Sequence, residues 1–281
     1  MSLSFDVDAQ QVKQLSDDIE NQGFAVLKGA LSDRELQQLR TFTDRHTELH
    51  PGEYFAYHGE HAVAGSLLHG IWGNPNFKAL LAGLYRNAAG KCSRSDQIFP
   101  VLRCVQGRQG QRESNRFHFD ATLVTALVPI FIPQQGEERG DLLLFPNLRK
   151  VRASVLFNVL EKALLQNRLS RKLICFAIDK GWLKPRTLEL ESGNIYFFWG
   201  YRSLHANRPV DLDLKRATAL FHFGDPHTGN LAVKLILKFN QRRARRASRK
   251  ANNQKQQPTP GSSGAFRSES ALCDRHGGFD D

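Results

Sequence analysis

Apolar and polar positions change period several times along the chain. Ala9 to Asn21 is polar with a helical spacing. Gly23 interrupts it, and Phe24 to Lys28 alternates as a short strand. Ser32 and Glu35 have the spacing of a capping box, in which a serine side chain and a glutamate three residues on satisfy each other's free backbone donors. The helix this opens is expected to run to about His46. Residues 51–100 are rich in glycine, histidine and aromatics and follow no single period. From Gln97 the pattern is of short β-branched or aromatic runs punctuated by Gly, Pro and Asn: 98–105, 116–120, 123–132, 141–145, 194–199 and 216–223. Such runs predict a sandwich or barrel.

Between Pro146 and Gly193 the period becomes helical again, with Leu156, Val159, Leu160, Leu169, Leu173, Ile174 and Phe176 on one stripe and Lys162, Arg168, Arg171 and Lys172 between them. This predicts one or two basic amphipathic helices inserted at about 147–190. The expected organisation is a mainly β domain over 1–239 with a helical amino-terminal part, 1–50, followed by a low-complexity tail, 240–281. That tail has no means of forming a core and is expected to be disordered.

Composition narrows the class. The 281 residues are 41% hydrophobic and 24% charged, as in globular domains. No apolar run is long enough to span a bilayer. The amino-terminal MSLSFDVDAQ is acidic and lacks an apolar segment, so no secretory signal is expected. Cysteines 92, 104, 175 and 273 form no CxxC pair and read as buried thiols in a reducing, cytoplasmic setting. The net charge of +11 is not evenly spread: residues 150–186 carry nine Lys/Arg against two acids, and 231–281 carry eleven against four. The remainder is nearly neutral, which points to a particular polyanionic partner surface.

Three groups could act together. His118 and Asp120, two apart on an extended segment, point to one side of a sheet. An HxD pair alone is common by chance. A second histidine, His205, follows the strand-like 194–199 and completes two imidazoles and a carboxylate, the facial arrangement favoured by non-haem Fe(II) oxygenases. Farther on, Arg216 offers a planar fork for a carboxylate, and Thr218, on the same strand face, offers a hydroxyl. Arg202 and Asn207 flank His205 and are candidates to face the same pocket. A rival set, His58, Glu60 and His61, lies in a Gly-rich stretch without a distant ligand. His46 and His50 lack the glutamate of a zinc-protease helix and read as solvated histidines.

Over about residues 8–225 the chain resembles the Fe(II)/2-oxoglutarate-dependent dioxygenases, most nearly the phytanoyl-CoA dioxygenase-like branch. The resemblance is carried by GFAVLKGALSDRELQQLR, HFD, GDLLLFPN, SGNIYFFWGYRSLHANRP and KRATALFHF. It implies a mainly β fold with flanking helices, a double-stranded β-helix (jelly roll, cupin-like). It further implies that His118, Asp120 and His205 bind Fe(II) and that Arg216 with Thr218 holds the distal carboxylate of 2-oxoglutarate. O2 would be the second co-substrate. A carboxylate at 120 favours hydroxylation over halogenation. Two departures matter. Pro146-Asn-Leu-Arg149 stands where relatives often read PGSH, so acyl-CoA specificity is not carried over. The run from Arg216 also lacks the second arginine of AlkB-type nucleic-acid demethylases.

The expected substrate is a small or amphipathic molecule, with a lipid or lipid-linked compound the favoured case. The basic segments 150–186 and 242–250 would contact the anionic inner face of a membrane. Six basic residues lie within Arg242 to Lys250, at roughly 1 kcal/mol each near such a surface. A nucleic-acid partner is less favoured, since it would not require the apolar stripe of the insert. The same residues are also compatible with a non-catalytic jelly-roll binding protein, or with a cupin-like metalloenzyme that uses no 2-oxoglutarate.

Overall fold

The computed structural model describes residues 5–151 and 167–226. Helix α1 (Ala9–Gln22) starts at Asp8, whose carboxylate accepts from the Gln11 N–H while the Gln11 side chain accepts from the Asp8 N–H. It stops at Gly23, with φ +94°, where a Cβ would lie 2.4 Å from Pro146 Cβ. Glycine is needed there for the backbone and for the space. The expected capping box is present. Ser32 and Glu35 open α2 (Asp33–Glu48), two residues longer than the pattern indicates.

The 51–100 stretch, which has no single period, contains strand β2 (Phe55–His58), a single 3₁₀ turn (Gly59–Ala62) and helices α3 (Leu67–Gly73) and α4 (Pro75–Ala89). Asn74 caps α4 by accepting from the Asn76 and Phe77 N–H groups, and Pro75 occupies the first turn, where its missing donor is harmless.

Eight further strands are β1 (Ala25–Leu27), β3 (Ile98–Gln106), β4 (Val124–Phe131), β5 (Leu142–Phe145), β6 (Arg186–Leu188), β7 (Ile195–Phe198), β8 (Leu204–Asn207) and β9 (Lys215–Phe223). They form two antiparallel sheets, β1-β7-β4-β9-β3-β2 and β6-β5-β8. Short helices α5 (Gly107–Glu113) and α6 (Arg168–Asp179) complete the described elements.

Strand alternation divides the work between faces. On β9, Ala217, Ala219, Phe221 and Phe223 join Ala126, Val128 and Phe197 in the core beneath the helices, where Leu15, Ile19, Leu80, Leu81 and Leu84 pack. The intervening Arg216, Thr218, Leu220 and His222 face the space between the sheets. Leu127, Leu142, Leu144, Tyr196 and Phe198 fill part of that inner space. On the outer face of the smaller sheet, Leu143, Leu204 and Ala206 pack with Phe117 and Phe119, and α6 covers them with Ile174, Cys175 and Ile178.

Residues 116–120 have a strand-like pattern but do not form a full strand. They pair with β8 only through the single bridge His118↔His205, because Asp120 turns away to hydrogen-bond the Gly200 carbonyl. Helix α6 lies within the predicted insert, and Arg186–Leu188, near its end, is strand β6. The first part of the insert, 152–166, and the tail with its basic run 242–250 lie outside the described residues.

Candidate metal centre

The backbone brings the two histidines together before their side chains are considered. The His118 N–H donates to the His205 carbonyl and the His205 N–H donates back, both at 3.0 Å, while the Asp120 N–H reaches Gly200 O at 2.9 Å. Asp120 Oδ1 lies 3.7 Å from His118 Nε2 and 3.6 Å from His205 Nε2. These separations are beyond hydrogen-bonding range, and the three ligand atoms lie within 4.8 Å of one another. They can converge on one ion.

The protonation pattern follows from the partners of the other ring nitrogens. His118 Nδ1 faces Arg116 O at 2.8 Å and His205 Nδ1 faces Ser203 O at 3.0 Å. A carbonyl only accepts, so each Nδ1 carries the proton and each Nε2 keeps its lone pair toward Asp120. Desolvation, then the neighbouring His205, pushes His118 down to about 4. Burial alone would raise the Asp120 carboxyl. His205, His222 and His118, with the Thr125 hydrogen bond, outweigh it and hold the carboxyl well below the usual carboxylate range.

Asp120 is also held from behind. Thr125 Oγ1 donates to Oδ2 at 2.6 Å and lies 3.2 Å from His222 Nδ1. The threonine proton is committed to the carboxylate, so the His222 Nδ1–H donates to Thr125. A buried relay, His222 to Thr125 to Asp120, thus leaves Oδ1 free. Gly200 makes room for it: a Cβ there would lie 2.2 Å from Asp120 Oδ2.

Arg216 and Thr218 line one recess with His118 and His205, walled by apolar Leu127, Leu142, Phe198 and Leu220. Arg216 is 1% exposed, yet its Nε and Nη2 have no hydrogen-bond partner. Burial, then repulsion from Arg103, pulls its pKa down to about 9. Asp141 offsets only part of this cost, and buried guanidinium nitrogens without an acceptor are unfavourable. The empty Arg216 fork and the adjacent hydroxyl therefore fit a carboxylate-bearing ligand, and the donor set at 118, 120 and 205 fits a divalent metal such as iron.

The other expectations divide. Asn207 lines the recess. Arg202 does not: it turns outward to Glu20, with contacts of 2.5 and 3.0 Å, and fastens α1 to the loop before β8. His46 Nδ1 and His50 Nε2 share the Tyr57 hydroxyl at 3.2 and 3.1 Å. Among the described residues, His58, Glu60 and His61 form no convergent ligand group. Cys104 is a buried thiol pushed up to about 11, whereas Cys92 is exposed. Sequence reasoning missed Arg103, Thr125, His222 and Gly200. A charged residue inside the apolar run IFPVLRCV was the available signal for Arg103.

No protein-family model matches the chain, and no curated protein matches it in sequence. Solved structures do match. The non-heme alpha-ketoglutarate-dependent epimerase SnoN from nogalamycin biosynthesis is similar at 16% identity and a TM-score of 0.51, covering 78% of this chain and 82% of its own. A prolyl 4-hydroxylase from Phytophthora capsici is similar at 13% identity and a TM-score of 0.51, covering 82% of this chain and 69% of its own. At such identities the likeness is one of architecture, and the fold of this chain is the double-stranded β-helix of these enzymes.

Proposed function

We propose that the protein is a non-haem Fe(II)/2-oxoglutarate-dependent dioxygenase that hydroxylates a C–H bond. The observation that carries this reading is the unpaired, buried Arg216 guanidinium in the same recess as two histidines whose Nε2 lone pairs are fixed by backbone carbonyls. His118 and His205 would hold Fe(II) through Nε2 and Asp120 through Oδ1. Arg216 and Thr218 would hold the distal carboxylate of 2-oxoglutarate. Bound there, the iron and co-substrate would supply, with O2, the oxidative decarboxylation that drives hydroxylation. The chain's own part is positioning and exclusion of water. Thr125 and His222 fix the carboxylate rotamer. Phe198 meets the His205 ring edge-on at 5.0 Å and, with the leucines, forms the apolar wall of the recess.

Anaerobic absorption spectroscopy tests this. Fe(II) protein should develop a weak visible charge-transfer band on adding 2-oxoglutarate, and the titration should weaken in Arg216→Ala. Iron binding without a band favours a cupin-like metalloenzyme, and absence of iron binding removes the catalytic reading. The motifs HFD, GDLLLFPN and SGNIYFFWGYRSLHANRP support kinship with the phytanoyl-CoA dioxygenase-like branch.

The finer proposal is an amphipathic, lipid-like substrate met at an anionic membrane surface from the cytoplasmic side. Its support is α6, which packs Ile174 and Ile178 half-buried against the smaller sheet but leaves Leu169, Leu173 and Phe176 exposed, with Trp182 close behind at 73% exposure. Lys172 and Lys180 flank this face and complement anionic head groups. Among the described helices, none is long and apolar enough to cross a membrane. Vesicles containing phosphatidylserine should sediment the protein in a salt-sensitive way, and Leu173→Glu with Phe176→Glu should abolish this. Unchanged sedimentation of that variant, or none by the wild type, removes the membrane proposal.

A further inference from the structure

A second cavity, of about 660 Å³, opens outward from His118. Four arginines from separate pieces of the chain line it: Arg103 of β3, Arg112 of α5, Arg116 beside the metal centre and Arg171 of α6. Its single acidic lining residue, Glu113, is already paired with Arg116 at 2.5 Å. The other three arginines have no carboxylate within ion-pair distance among the described residues. Arg171 donates to two backbone carbonyls, those of Arg112 at 3.2 Å and Ser114 at 2.6 Å, which are neutral acceptors. Arg103 lies over the Tyr54 ring at 5.5 Å, and its Nε is buried without a partner.

Here three guanidinium groups without an ion-pair partner among the described residues line a cleft at the entrance to the recess and give it a positive potential. Arg112 and Arg171 do not line the inner recess, so 2-oxoglutarate held at Arg216 would leave them unused. A single carboxylate fills one guanidinium fork, whereas the oxygens of a phosphate can bridge several. Tyr54 and Asn207 add an aromatic face and an amide beside them.

We infer that this vestibule binds the substrate through a phosphate group and so presents a neighbouring C–H bond to the metal centre. This inference rests on the oxygenase reading for the chemistry, while the anion site itself does not. The phosphate could belong to a soluble phosphoester or to a phospholipid head group.

Equilibrium binding of inorganic pyrophosphate to the full chain, by calorimetry with saturating 2-oxoglutarate present, tests the site. Arg112→Gln should weaken binding about tenfold, the effect of losing one charge-assisted hydrogen bond. Glu113→Gln should tighten it about threefold, a gain that a partly unfolded variant would not produce. Glycerol phosphate and vesicles containing phosphatidic acid, run in parallel, separate the sources. Binding of either that weakens in Arg112→Gln supports the inference and assigns the soluble or the lipid class. No pyrophosphate binding at millimolar concentration, equal binding to Arg112→Gln, or complete displacement by 2-oxoglutarate would overturn it. The visible band measured on the same samples reports on the oxygenase reading alone: loss of the band with pyrophosphate binding retained separates the two failures.

Discussion

Gly200→Ala is the sharpest single perturbation of the metal centre. Gly200 does not have a positive φ, so alanine brings no backbone strain. Its Cβ would lie 2.2 Å from Asp120 Oδ2, 2.4 Å from Thr125 Oγ1 and 2.9 Å from Asp120 Cγ. An unstrained contact needs roughly 3.5 Å, so the carboxylate must retreat by about 1 Å. The backbone cannot yield easily, because the Asp120 N–H is bonded to the carbonyl of Gly200 itself. The shift therefore falls on the Asp120 side chain, and it breaks the 2.6 Å bond from Thr125. Sites of this kind tolerate about 0.5 Å of misplacement. Metal affinity is expected to fall about 100-fold, the upper end for damage to groups that orient a ligand, while overpacking lowers stability by about 1–3 kcal/mol. Anaerobic titration with Co(II), followed by its visible bands, measures the first, and urea unfolding in chelator measures the second. If Gly200→Ala binds Co(II) within threefold of wild type and remains folded, Asp120 is not held as described and does not anchor a metal.

Thr125→Val removes the hydroxyl that fixes Asp120 while keeping its shape; Co(II) affinity should drop about tenfold, and activity should fall with it. Arg216→Met removes a buried, unpaired charge. The chain without co-substrate should become more stable by about 1–4 kcal/mol, while 2-oxoglutarate should no longer raise its Tm. The pH dependence of the metal-free protein follows from His118, held at about 4 against an ordinary 6.5. Between these values the unfolded chain takes up a proton that the folded chain refuses, so stability is full above pH 6.5 and is lost as the pH falls toward 4. His222, also lowered by burial, acts in the same direction. His118→Gln should flatten that slope in a series of urea midpoints.

The sequence pattern reports elements whose period is long enough to read and misses relations that depend on pairing. Strands β3, β4, β7 and β9 carry strong alternation, and α2 carries its cap, so each is visible locally. Strand β8 has four residues inside YRSLHANRP, and α3, α4 and β2 share a stretch whose helical and strand signals overlap. His118, Asp120, His205, Arg216 and Thr218 were recognisable because their types and order are unusual together. Their supports were not. Thr125 and His222 lie 97 positions apart in the chain but opposite each other across β4 and β9, and Arg103 faces Thr218 across β3 and β9. Only strand register makes these residues neighbours. Arg202 fails for a related reason: a turn in which its N–H bonds Trp199 O directs its side chain toward Glu20 on α1.

The same register explains why the site coexists with a stable core. Every second residue of β9 belongs to the helix-backed core; of the alternate set, Arg216, Thr218 and Leu220 line the recess and His222 supports Asp120 through Thr125. A slip of one residue would send Arg216 and His222 into the apolar layer and Ala217 and Phe221 into the recess. That exchange would bury two polar groups without partners while removing the carboxylate fork. Register in β9 is thus enforced by the apolar face, and the functional face inherits its precision without contributing to it. Substitutions at Thr218 or Arg216 can therefore alter ligand binding while Ala217, Ala219, Phe221 and Phe223 go on holding the strand. The unpaired Arg216 guanidinium is tolerated for this reason: its unfavourable burial is offset by a core that lies one residue away, on the other side of the same strand.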